Sequence, residues 1–373
     1  MYSIEVRTSF GLEALVKRQI LSLGYDDLSV NDGKISLMGD SKTIAKLNIN
    51  LGSADRVYIK LKEFKATDFD MLFDNIYKIE RGDLISKYGN FIVNASSFKS
   101  KLHSIPAIQK ISEKAIIKKL QVKYKISFFE KTSERYKIEV SINENMVFVY
   151  LDTSGDGLHK RGYRQGSVKA PIRENLAYSL VDLSFYNSER FLFDPFCGSG
   201  TILIEAARKA RNIPSGIDRD FDFIKFKFFD ETVFQEEKKD ALSKIDFDKK
   251  LNITGCDISK KAIELAKANA LNAGVEEDIK FVNSDFKNYN LNEKYGIVIT
   301  NPPYGNRLSW TDLNELYENF NKKFSKLDTY SFYVITSDEK FDHIFKRKLD
   351  RKRKLYNGNI KTYYYQYYGK KPK

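Results

Sequence analysis

Ile297-Val298-Ile299-Thr300-Asn301-Pro302-Pro303-Tyr304-Gly305 joins a short apolar run to a polar loop stiffened by two prolines and tipped by an aromatic ring. The apolar run reads as a buried strand, and the prolines, which cannot continue a hydrogen-bonded ladder, end it. Such a loop stands at one edge of a sheet, and its groups suit one task. An exocyclic amine on a planar base is a poor nucleophile because its lone pair is delocalised into the ring. The Asn301 amide oxygen and the Pro302 carbonyl can accept its two N–H bonds, localise the lone pair and aim it. Pro303 keeps the loop rigid, and the Tyr304 ring can stack on the base, a contact worth about 1–3 kcal/mol.

Asp194-Pro195-Phe196-Cys197-Gly198-Ser199-Gly200-Thr201 lies between an expected strand, Phe191–Phe193, and an expected helix, Thr201–Arg211. Glycines there let the backbone approach a ligand, and the helix N-terminus supplies free N–H groups. Asp194, Phe196, Gly198, Ser199, Gly200 and Thr201 are the cofactor-binding candidates in this loop, and Asn301 counts as a further cofactor-binding candidate. It lacks the Lys-Ser/Thr ending of a phosphate-binding P-loop, which argues against ATP hydrolysis. A ribose asks for an acid after the next strand. Asp218 follows no strand, whereas Asp257 directly follows Leu251–Cys256, so Asp257 with its neighbour Ile258 is the ribose-side expectation. A helix N-cap is the competing role for Asp257. Asp285, just beyond Ile279–Val282, is placed to accept from an adenine amine, with Phe286 packing on the ring.

Three acids on successive carboxyl edges of a sheet, a glycine loop under the first and the Asn301 loop completing the set, describe an amino-methyltransferase acting on nucleic acid. Carbon methylation would ask for a cysteine beside the base; the site loop carries Asn301 instead, and Cys197 sits in the cofactor turn. His103, His159 and His343 are too scattered for a triad or a metal.

The formal charge of +13 and the pI near 9.3 favour a polyanionic partner. From Ser97 to Lys125 eight lysines face one acid, Glu113, and interleave with Ile108, Ile111, Ala115, Ile116 and Leu120. That pattern buries one helix face and offers the other to phosphate. Lys99, Lys101, Lys110, Lys114 and Lys118 are the RNA-binding candidates there, and Arg161 and Arg164 those in the connecting segment. The two cysteines, Cys197 and Cys256, form no metal-ligand spacing, so neither zinc nor a disulfide is expected. No apolar run approaches the roughly 20 residues of a bilayer span, and the N-terminus has no export-signal pattern. A cytoplasmic protein is expected.

The chain alternates strands and helices throughout. An N-terminal domain over 1–64 reads strand, helix, strand, helix, strand. Residues 65–154 add a helix near Phe69–Tyr77, a strand Phe91–Ala95, the basic helix Ile105–Lys123 and two strands turned by Asn143-Glu144-Asn145. Residues 155–170 read as a linker, and 171–373 as a doubly wound parallel sheet. Residues 212–250 look like an insertion, and Asn357-Gly358-Asn359 should close an antiparallel edge hairpin with a tyrosine-rich strand.

Asp194–Thr201 with Ile202-Leu203-Ile204-Glu205-Ala206-Ala207, Asn301–Gly305 with Arg307-Leu308, Asp152–Arg164, and Ala170–Ala177 together resemble the THUMP-domain RNA guanine-N2 methyltransferases across nearly the whole chain. The likeness is greatest to the bacterial 23S ribosomal RNA enzymes. The resemblance implies a ferredoxin-like N-terminal domain, a THUMP RNA-binding domain and a Rossmann-like domain using S-adenosylmethionine. It adds Glu174 and Asn175, at the start of a helix bordering the cofactor, as candidates. It implies 23S ribosomal RNA or a ribosome assembly intermediate as partner, with N2-methylguanosine as product. Some ribosomal relatives carry a second methyltransferase domain; none follows in this sequence, and no second modification is expected. The alternatives are a transfer-RNA guanine-N2 enzyme, a DNA amino-methyltransferase, and a catalytically silent RNA-binding assembly factor. Removal of residues 1–150 is expected to abolish activity on structured RNA while leaving cofactor affinity.

Overall fold

The computed structural model describes residues 1–79, 84–166, 171–303 and 310–371. Tyr304, with Gly305, Arg307 and Leu308 of the same loop and Ala170 of the connecting segment, lies outside them. Two seven-stranded sheets organise the rest.

The first sheet is built from β1 (Tyr2–Arg7), α1 (Glu13–Ser22), β2 (Ser29–Asn31), β3 (Lys34–Gly39), α2 (Ser41–Asn50), β4 (Arg56–Lys65), α3 (Phe69–Tyr77), β5 (Asn90–Phe98), α4 (Ile105–Tyr124), β6 (Arg135–Asn143) and β7 (Met146–Asp152), in the strand order β2-β3-β1-β4-β7-β6-β5. Local chemistry sets several boundaries. Asp40 and Thr43 form a reciprocal capping box that starts α2. Pro106 stands in the first turn of α4, and Lys125 in the left-handed region closes it. Glu144 and Asn145 both take positive φ, 50° and 65°, between β6 and β7, as a type I′ hairpin turn requires. β4 pairs with β1 on one side and β7 on the other. The expected division at residue 64 therefore falls inside one continuous sheet.

The second sheet takes α5 (Glu174–Leu183), β8 (Leu192–Asp194), α6 (Thr201–Ala210), α7 (Glu231–Ser243), β9 (Ile253–Asp257), α8 (Lys260–Asn272), β10 (Ile279–Asn283), β11 (Ile297–Thr300), α9 (Trp310–Phe324), β12 (Ser331–Thr336), α10 (Phe341–Ile344), β13 (Arg351–Asn357) and β14 (Ile360–Tyr367), in the order β10-β9-β8-β11-β12-β14-β13. The five strands from β10 to β12 are parallel. β11 and β12 are buried along their whole length, as strands covered on both faces must be. α5, α6 and α8 cover one face, and α9 and α10 the other, through a cluster that includes Phe193, Phe320, Phe324, Phe332 and Phe345. The hairpin turns at Gly358, but β14 slots between β12 and β13 with both pairings antiparallel. The tyrosine-rich strand is thus interior, and Tyr364, Tyr365 and Tyr367 are fully buried.

Two segments depart from expectation. The insertion after α6 is not a surface excursion. Phe221, Phe223, Phe226, Phe229 and Phe234 join the core of the first sheet, Phe226 stacks on Tyr136 at 4.7 Å, and Asp222 receives Arg135 at 2.9 Å. At about 1.5–3 kcal/mol per buried aromatic, this clasp binds the halves firmly. The segment 155–166 is not a free linker either, because Leu158, Arg161 and Tyr163 are buried.

Candidate active site

β8 lies between β9 and β11, so the chain's winding reverses there, and open α/β sheets bind ligands at such a switch point. Asp194 ends β8, Asp257 ends β9, Asp285 follows β10 and Asn301 follows β11. All four stand at the carboxyl edge of the sheet. Asp257, Asp285 and Asn301, with Phe196, Gly198 and Ile258, line in part a cavity of about 430 Å³, a size within the range of small-ligand sites. A smaller pocket of about 50 Å³, lined by Asp194, Ser199, Thr201 and Ile172, adjoins it through Phe196, Gly198 and Asn301.

The glycine loop is tightly drawn. The Gly198 N–H donates to Asp257 Oδ2 at 3.0 Å, and the Ser259 N–H donates to Oδ1 at 2.8 Å. The N-cap of α8 is Ser259, whose hydroxyl accepts from the Ala262 N–H, so Asp257 is not the cap. Gly200 has φ +80°, and a Cβ there would meet the Phe281 ring at 3.1 Å and Ala266 at 3.2 Å. Backbone and side-chain space both require glycine. Ser199 and Thr201 are buried, so what the loop offers the large cavity is backbone.

Asp194 is buried, and its Oδ1 accepts from the Thr300 hydroxyl at 2.6 Å and the Phe196 N–H at 3.0 Å. Burial pushes its carboxyl up to about 7; those two hydrogen bonds oppose the shift, and neighbouring Asp257 adds to it. Asp285 accepts from the Lys287 N–H at 2.9 Å, with the Lys287 ammonium at 3.2 Å. Asn301 Oδ1 is buried and has no hydrogen-bond donor among the described residues. A buried acceptor left open costs about 1–3 kcal/mol, a cost a ligand N–H would remove.

Several candidates take other work. The Phe286 ring is packed against Phe196 and Phe324, so it serves chiefly as wall; Ile258, 76% exposed, gives the cavity its open apolar surface. Glu174 is buried against Arg164 at 2.9 Å. Asn175 donates to Asp55 Oδ1 at 2.8 Å and ties α5 to the N-terminal half. Neither lines the cavities. Arg161 is 1% exposed and donates to the carbonyls of Leu158 and Gly52, so it cannot reach RNA phosphates. Arg164 bonds to the Ile172 carbonyl and the Thr201 hydroxyl and is likewise withdrawn. By contrast Lys99, Lys101, Lys110, Lys114 and Lys118 are exposed; the last three, four residues apart on α4, share one helix face. Thr300, Leu316 and Asn319 belong to the site's surroundings and were not anticipated. Thr300 adjoins Asn301 in the motif, but no local pattern foretells that α9 closes the cavity. Among the described residues no acid, histidine or cysteine cluster could hold a metal, and no helix is long and apolar enough to cross a membrane.

A glycine loop requiring glycine, carboxylates at the next two strand ends and an open buried acceptor fit an adenosine-bearing cofactor. The fold and site are those of a Rossmann-like methyltransferase. Residues 161–366 match the RMKL-like methyltransferase domain, residues 4–58 the RlmL ferredoxin-like domain and residues 66–152 the THUMP domain. The chain belongs to the RMKL-like methyltransferase family. It is 38% identical over 372 residues to YpsC of Bacillus subtilis, itself only provisionally described as an RNA methyltransferase, covering 99% of this chain and 96% of that one. It is 32% identical over 354 residues to the tRNA (guanine(6)-N2)-methyltransferase of Methanocaldococcus jannaschii, covering 90% of each. It is also 32% identical over 323 residues to the ribosomal RNA large subunit methyltransferase K/L of Buchnera aphidicola, covering 82% of this chain but 45% of that one. Among solved structures, SMU.472, crystallised with S-adenosylhomocysteine, superposes with a TM-score of 0.94 at 37% identity over 100% of this chain and 99% of that one. The protein is an S-adenosylmethionine-dependent RNA methyltransferase.

Proposed function

We propose that the protein methylates the exocyclic N2 amine of a guanine in 23S ribosomal RNA, acting in the cytoplasm on that RNA or an assembly intermediate. The observation that carries the reading is Asn301 Oδ1, a buried acceptor without a donor among the described residues, on a residue that lines both parts of the cavity. The cofactor, when bound, supplies an electrophilic methyl on a sulfonium. Gly198, Ser199, Gly200 and Thr201 cradle it through backbone, with Phe196 and Asp194 beneath. Asp257 accepts from the ribose hydroxyls, Ile258 covers the adenine, and Asp285 accepts from the adenine amine. Asn301 Oδ1 and the Pro302 carbonyl accept the two N–H bonds of the guanine amine, Pro303 stiffens that loop, and Tyr304 stacks on the base. The amine proton leaves to water after transfer, so the chain needs no tuned base.

A carbon target is disfavoured, because burial pushes the Cys197 thiol well up and the Cys256 thiol up to about 12, far from the thiolate a nucleophile needs. The exposed lysines of α4, with Lys99 and Lys101, serve the RNA backbone. The RlmL-type ferredoxin-like match and the Buchnera relative favour ribosomal RNA. A transfer-RNA target is the second reading, favoured by the full-length alignment with the Methanocaldococcus enzyme. Nucleoside mass spectrometry of fractionated RNA from cells with and without the gene tests both. Loss of N2-methylguanosine from large-subunit RNA is expected. Loss confined to transfer RNA moves the substrate, and no loss in either rejects guanine N2 in these RNAs.

A further inference from the structure

The glycine loop is gripped from behind by the segment arriving from the RNA-binding half. Arg164 reaches two helices and the segment before one of them. Its guanidinium pairs with Glu174 at the start of α5 at 2.9 Å, and donates to the Ile172 carbonyl at 2.9 Å and to the hydroxyl of Thr201, the first residue of α6, at 3.1 Å. One residue on, the Gln165 N–H donates to Asn269 Oδ1 at 3.1 Å, and Asn269 Nδ2 donates to the Ser199 carbonyl at 3.1 Å. Asn269 is buried on α8, with a partner on each end of its amide.

The two contacts bracket Gly200, whose left-handed backbone leaves no room for a Cβ against Phe281 and Ala266. Ser199 is held by its carbonyl and Thr201 by its hydroxyl, and the Gly200 N–H between them donates to the Cys197 carbonyl at 2.8 Å, so the loop's backbone is fixed before any ligand arrives. A loop held in its bound geometry costs the ligand no ordering.

We propose that Arg164 and Asn269 are positioning residues of the cofactor site: they fix loop 198–201 through Thr201 and Ser199 without touching the cofactor. This rests on the assignment of that loop to S-adenosylmethionine. The same two residues make residues 164–165 the point at which the RNA-binding half meets the loop. The identity of Arg164 matters as well as its charge. A lysine keeps the pairing with Glu174 but cannot also hold the carbonyl and the hydroxyl with a fork of donors.

The test uses the full chain, with S-adenosylhomocysteine affinity by calorimetry and separate KM values for S-adenosylmethionine and RNA. Arg164→Met and Asn269→Leu are each expected to weaken S-adenosylhomocysteine at least about fivefold, with the RNA KM within about twofold of the parent. Arg164→Lys should recover part of the loss. In a Thr201→Val background the Arg164→Met effect should shrink to less than half, because the shared contact has already gone. Unchanged cofactor affinity, a loss confined to the RNA KM, or full additivity with Thr201→Val overturns the proposal. Asn269→Leu carries the test if Arg164→Met does not fold. Asp257→Asn separates the two levels. If it too leaves affinity unchanged, the loop's assignment to the cofactor fails; if it weakens binding while Arg164→Met and Asn269→Leu do not, only the positioning role fails.

Discussion

The Gly198 N–H donates to the Asp257 carboxylate at 3.0 Å, binding the loop after β8 to the end of the neighbouring strand. One carboxylate thus shapes the glycine loop and stands where ribose hydroxyls are expected. Asp257→Ala removes both functions, and at about 1.5–3 kcal/mol for a charged hydrogen bond it should weaken S-adenosylhomocysteine tenfold or more, roughly. Calorimetry on the purified variant checks this; parental affinity would rule out the ribose-side role.

Asn301→Ala should separate binding from chemistry. It removes the open acceptor but none of the loop's contacts, so cofactor affinity should stay within about twofold while turnover falls at least about tenfold. Single-turnover rates on substrate RNA, beside calorimetry, decide it. Lost cofactor binding with preserved turnover per bound cofactor would contradict the assignment.

Asp194 should make cofactor binding depend on pH. Its carboxyl, pushed up to about 7 by burial, lies above its unfolded value. The free protein therefore loses stability from this group as pH rises from about 4 to about 7. A bound cation favours the ionised form, so affinity should rise over the upper part of that window. S-adenosylmethionine should bind up to about tenfold more weakly near pH 6 than near pH 8. Asp194→Asn should flatten the profile, and an unchanged slope in that variant would assign the titration elsewhere.

Substitution of Lys110, Lys114 and Lys118 by alanine together should raise the RNA KM and lower the slope of log affinity against log salt by about 2–3. Cofactor affinity should not change, since α4 is remote from the cavity in the fold. Filter binding across a salt series measures the slope; a slope equal to the parent's would move RNA docking to another face.

The insertion revises the expected behaviour of fragments. Without residues 1–150 the aromatic side chains of Phe221, Phe223, Phe226 and Phe234 lose the core they enter. The isolated catalytic half should therefore aggregate rather than bind cofactor normally. In the intact chain, Phe223→Ala should cost about 3–5 kcal/mol, seen as a lower denaturant midpoint. A soluble, cofactor-competent 160–373 fragment would show the clasp to be dispensable.

Most of the site could be read from the sequence, because its residues sit beside local signals. Asp194, Asp257, Asp285 and Asn301 each follow a short apolar run, and parallel winding carries such positions to one edge. Arg161 and Arg164 misled for a physical reason. A glycine-rich, basic segment looks solvent-facing when its partners, Glu205 and Glu174, lie beyond the next turns of chain. Neither α7 nor the burial of the phenylalanines before it could be seen, since the surfaces they meet belong to helix α2 and strand β6, formed long before them in the chain. The slotting of β14 between β12 and β13 was equally hidden: a hairpin turn fixes which strands pair with each other, not which of the two meets the sheet.

The insertion leaves the catalytic half directly after α6, the helix that opens with the glycine loop, packs into the core beneath the RNA-binding sheet and returns to the end of α6 before β9. Anchored at both ends in this way, it would set the two halves at a fixed spacing, as a caliper does. If the α4 lysines grip RNA and Asn301 receives the base, as proposed, the target would be chosen by how far it lies from the grip as well as by which base it carries.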